Sequence, residues 1–100
     1  MTDDTPMSDT LDALERLQQA QAAKEVELGG VTYEIFTVRQ EIEGHALYPE
    51  TDARRQEVEG HRRRLETLVR RETALSDELR GIYDRVTELR ERVATASHGP

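Results

Sequence analysis

Two nearly identical heptapeptides hold the residues of this chain best suited to chemistry. They are Arg39-Gln40-Glu41-Ile42-Glu43-Gly44-His45 and Arg55-Gln56-Glu57-Val58-Glu59-Gly60-His61. Each places a carboxylate and an imidazole four residues apart, Glu41 with His45 and Glu57 with His61, so on a helix the two groups share one face. Glu and His on facing helices hold metals in four-helix bundles, but the spacing used there is Glu-x-x-His, which does not occur here. With the chain folded between the two copies, axial counting puts the two imidazoles on the order of 10 Å apart, too far to share an ion. The expectation is therefore no metal, with both histidines tolerated in an apolar seam near a tip that protonation would loosen.

Two other constellations carry charge. Lys24, the only lysine, lies with Gln21 and Glu72 where an otherwise apolar series is interrupted. A polar layer that fixes helix register, with Lys24 and Glu72 neutralising each other, is expected there rather than a catalytic pair. The arginines Arg54, Arg55, Arg62, Arg63, Arg64, Arg70 and Arg71 are the one concentration of positive charge. They read as a solvated face with intramolecular partners. Nucleic acid is not expected, because the chain carries a net charge of −7 and no aromatics are interleaved with the arginines.

No Gly-rich phosphate loop, nucleophile elbow or zinc motif is present, and the absence of cysteine removes disulfides and thiolate ligands. No catalytic, cofactor-binding or metal residue is assigned and no small-molecule substrate is expected. A two-helix fold has no dry, concave pocket, so the chain reads as a non-enzyme.

The elements that position these groups follow from the apolar pattern. In a chain of 100 residues with 35% hydrophobic, 4% aromatic and 35% charged residues, a thick core cannot form. Such a composition folds only if its apolar residues share a narrow seam. They do. Leu14, Leu17, Gln21, Lys24, Leu28, Val31, Ile35, Val38, Ile42 and His45 follow a strict 3-4 spacing. So do Val58, His61, Leu65, Leu68, Glu72, Leu75, Leu79, Ile82, Val86, Leu89 and Val93. Sustained heptads of this kind specify a coiled coil.

The two series are out of phase, and Tyr48-Pro49-Glu50-Thr51-Asp52 lies between them. Pro49 disfavours helical geometry at Tyr48, and Thr51 or a polar neighbour is suited to cap a second helix. The expected fold is all-α, a two-helix antiparallel coiled-coil hairpin. Expected boundaries are helix 1 at about 8–47, turn about 48–51 and helix 2 about 52–95, making a hairpin of 8–96 with flexible tails at 1–7 and 97–100. In this register Ile35 faces Leu65 and Val31 faces Leu68, while Glu27 reaches Arg71 and Glu34 reaches Arg64.

The outer faces of the helices differ. Helix 2 turns Arg63, Glu66, Arg70, Asp77, Arg80, Asp84 and Glu91 outward. The outward positions of helix 1 from 19 to 40 are Gln19, Ala22, Ala23, Val26, Gly29, Gly30, Tyr33, Phe36, Thr37 and Gln40, without one charge. A helix apolar on two faces is covered on both.

Adjacent glycines raise two alternatives, a break between Leu28 and Val31 or a short β-segment over Val31 to Val38. Unbroken heptad phase favours a continuous helix. The candidate interface is thus Ala22, Ala23, Val26, Gly29, Gly30, Tyr33, Phe36 and Thr37. Its expected occupant is a second copy, two hairpins making a four-helix assembly, or another protein partner docked on helix 1. The functional expectation is a cytoplasmic structural or interaction protein, with an adaptor or chaperone-like subunit of a larger assembly as the alternative. No apolar run of membrane length occurs, and no membrane association is expected.

Overall fold

Two α-helices, α1 (Thr5–His45) and α2 (Asp52–Ser97), form an all-α helical hairpin in the computed structural model, which describes residues 5–97. Both helices reach farther from the turn than the heptads require. Thr5–Met7 and Ser97 are helical, where flexible tails were expected; the remainder of those tails, 1–4 and 98–100, lies outside the described residues. Near the turn α1 stops at His45, two residues short of the expected end. The N–H groups of Ala46, Leu47 and Tyr48 bond back to the carbonyls of Glu43, Gly44 and His45 at 3.1, 3.2 and 3.3 Å. This three-residue spacing tightens the last turn and satisfies carbonyls that a helix end would leave open.

Restart of the chain is set by Thr51. Its carbonyl accepts the first helical bond from the Arg55 N–H at 2.9 Å, and its hydroxyl accepts from the Arg54 N–H at 3.1 Å. That is an N-cap. The Arg54 guanidinium sits over the Tyr48 ring, 4.5 Å from its centroid, and ties the cap to the end of the turn. Replacing Thr51 with Ala is expected to cost about 1 kcal/mol. Thermal unfolding followed by helical circular dichroism would read this as a drop of several degrees, and Thr51→Ser should restore most of it.

Through Gly29-Gly30 α1 is unbroken: neither glycine has positive φ, and no strand occurs among the described residues. Leu28 and Val31 flank the pair and both pack on the core, which holds the glycine backbone in helical register from either side.

The hairpin divides into two compact units. One is Val26–Ser76, containing the turn; the other is Met1–Glu25 with Asp77–Pro100. In the turn-bearing unit the core is Val31, Ile35, Val38, Leu68 and Leu75, with Leu28, Ile42, Leu65 and Val69 packed against it. All but Val69 are seam residues named by the heptads. In the other unit Leu79, Val86 and Leu89 are buried, while Leu14 and Leu17 are half-buried.

Ion pairs between α1 and α2 agree with the register. Glu34 and Arg64 meet at 2.6 Å, and Glu27 pairs with Arg71. All four side chains are more than a third exposed, so each pair contributes at most ~1 kcal/mol and mainly selects alignment.

Candidate interaction surface

Because the seam claims one face of α1, its opposite face is left bare. Within the turn-bearing unit Val26 is 78% exposed, Tyr33 71% and Phe36 56%. Gly29 and Gly30 are exposed as well, and a Cβ added at either would meet nothing within 4 Å. Thr37 is half-buried, its hydroxyl turned back to donate to the Tyr33 carbonyl at 3.1 Å. Ala22 and Ala23, in the other unit, are exposed. No side chain among these eight bears a charge.

The outer face of α2 has the opposite character. Arg63 pairs with Glu59, Arg70 with Glu66, Arg80 with Asp77 and Arg92 with Glu88, all one helical turn apart and all exposed. Such a face is satisfied by its own charges and by water. The α1 face has no comparable provision for solvent.

The heptapeptide repeats come together differently from the sequence expectation. The rings of His45 and His61 lie 5.6 Å apart between centroids, tilted by 40°, instead of about 10 Å. Each copy's imidazole faces the other copy's carboxylate: His45 Nε2 is 3.4 Å from Glu57, and His61 Nδ1 is 3.2 Å from Glu41. The repeat is thus a reciprocal clasp between the helices. His45 Nδ1 is buried without a hydrogen-bond partner. Among the described residues no group of three or more His, Asp or Glu side chains is placed to hold a metal ion.

Lys24 and Glu72 also part company with the expectation. Lys24 pairs with Glu78 at 2.6 Å, and Glu72 instead accepts a hydrogen bond from the Thr32 hydroxyl at 2.8 Å. Beside Lys24, Glu25 accepts from both Tyr83 Oη at 2.6 Å and Gln21 Nε2 at 3.2 Å. The hydrogen bond to this carboxylate, then burial and the negative charge itself, push the Tyr83 phenol above its usual range. Tyr83 ionisation would therefore oppose the fold only in strong alkali: the phenol's contribution is complete below about pH 10 and lost above it. Tyr83 flanks the seam, and heptad counting flagged only the seam itself.

Near the turn a groove of about 740 Å³ is lined in part by Ile42, Tyr48, Arg54, Val58 and Arg62. Leu47 and Tyr48 beside it are 82% and 59% exposed. Among the described residues no helix is long and apolar enough to cross a membrane. Comparison with family models, with curated proteins and with solved structures finds no match to this chain.

Proposed function

We propose that this chain is a non-enzymatic coiled-coil interaction protein that self-associates through the outer face of α1, two hairpins joining as a four-helix assembly in the cytoplasm. The observation that carries the reading is the exposure of Val26, Tyr33 and Phe36 around two bare glycines on a face without charge. Three large apolar side chains grouped on one helix face favour removal from water at roughly 25 cal/mol per Å² covered. The chain's net charge of −7 opposes association through any charged face. The uncharged strip is where two acidic copies can approach without that penalty.

Sedimentation of the purified chain at rising concentration tests this. The expected result at tens of micromolar is twice the chain mass of 11.5 kDa, with helicity retained. A monomer throughout that range would sink self-association. A second reading draws on the exposed Leu47 and Tyr48, which a copy bound on α1 does not account for. In it the hairpin is an adaptor or chaperone-like subunit that inserts its turn into a larger protein assembly.

A further inference from the structure

The self-associating face has a size pattern that selects one arrangement of the two copies. We infer that two α1 helices run antiparallel across a twofold axis between Gly29 and Gly30, an inference that rests on the self-association proposed above. About that axis, residues whose numbers add to 59 share a layer. Within the turn-bearing unit Tyr33 meets Val26 of the second copy, and Gly29 meets Gly30. Counting on along α1, Thr37 meets Ala22, Gln40 meets Gln19, and Phe36 meets Ala23.

Each aromatic ring thereby lies against an aliphatic side chain smaller than itself, as close packing of two helices requires. The amides of Gln19 and Gln40 are equidistant from the glycine pair, so each finds the other, with donor and acceptor on both sides. A parallel pair would instead set Tyr33 on Tyr33 and Phe36 on Phe36. The rings would hold the backbones apart about one helical turn from the glycines and deny them the close approach they allow. Their open surroundings, with nothing within 4 Å of a Cβ added at either glycine, leave room for the second backbone.

Charge and area agree with a second copy as occupant. None of the outward positions from Gln19 to Gln40 is charged, and the one layer with two acids, Glu25 and Glu34, holds them at flanking positions of α1, so the −7 of each chain is not concentrated in the contact. Tyr33 and Phe36 are 71% and 56% exposed. Four such rings in a dimer bring roughly 400–600 Å². A specific interface needs about 1,200 Å² in total, the balance falling to Val26, the bare glycine backbone and the amides. The dimer is thus of the small, concentration-dependent class.

Cysteine cross-linking tests the arrangement cleanly, because the chain has no cysteine of its own. Ala22→Cys and Thr37→Cys are both close in size to the residues they replace. In the antiparallel dimer a 22–37 pair shares a layer, whereas two copies of position 22 are separated by roughly 22 Å along the axis. That exceeds the ~7 Å between α-carbons that a disulfide can span.

Mild oxidation of the mixed variants should yield a covalent heterodimer at least tenfold faster than either variant alone yields a homodimer. Rapid homodimer formation by Ala22→Cys alone would overturn the antiparallel arrangement in favour of a parallel one. No cross-link between the mixed variants, with a wild type that sediments as a dimer, would overturn this register while leaving self-association intact. A monomeric wild type would overturn both.

Discussion

Leu75→Ala is expected to destabilise the hairpin by about 3 kcal/mol. Leu75 is 2% exposed and packs in the core formed by Val31, Ile35, Val38 and Leu68. A leucine truncated there loses its transfer energy and leaves a cavity, which two helices can close only by giving up other contacts. Domains of this size have a net stability of roughly 5–15 kcal/mol, so the loss is a large share of the whole. Urea unfolding monitored by helicity should show a lower midpoint with an unchanged slope. Thr73→Ala, at an exposed position two residues away, should leave the midpoint unchanged or raise it slightly. Equal midpoints for the two variants would mean that Leu75 does not anchor the core.

The seam, the turn and the Thr51 cap were legible because each rests on a local rule. Apolar spacing sets which face is buried, Pro49 limits the residue before it, and a threonine hydroxyl suits an N-cap. What axial counting alone missed was the lean of side chains. Each Cβ tilts toward its own helix N-terminus, so on antiparallel helices the lean of one side chain opposes that of its partner.

His61 lies six residues farther from the turn than the level of His45, roughly 9 Å of rise. His45 leans away from the turn and His61 toward it, which brings their rings to 5.6 Å. The same convergence joins Glu41 to His61 and Glu57 to His45. It also explains Lys24, which leans away from the turn and reaches Glu78, a residue that leans toward the turn. Thr32 leans the same way and takes up Glu72. The outer strip was legible as a composition, eight positions without charge, but its exposure depended on the glycines staying helical, on which a single sequence left three readings open.

Gly30→Glu is expected to move two measurable quantities in opposite directions. In the isolated hairpin the change should be stabilising. A helical glycine costs up to about 1 kcal/mol relative to good helix formers, Glu is among these, and nothing lies within 4 Å of the added Cβ. In the proposed dimer the same side chain puts a carboxylate on the contact face, close to its own copy across the twofold axis. Two unpaired like charges taken from water there should weaken association by at least a hundredfold, about 3 kcal/mol.

Sedimentation should therefore give a monomer where the wild type is a dimer, while thermal unfolding at low concentration gives a higher midpoint than the wild-type monomer. Gly81→Glu is the matched control, since Gly81 is exposed on α2 with the same open surroundings. It should raise the midpoint and leave the mass unchanged. If Gly30→Glu behaved like Gly81→Glu in both measurements, the glycine pair on α1 would have no role in association. Loss of the dimer in Gly30→Glu alone would separate the cost of glycine within the helix from its use between helices.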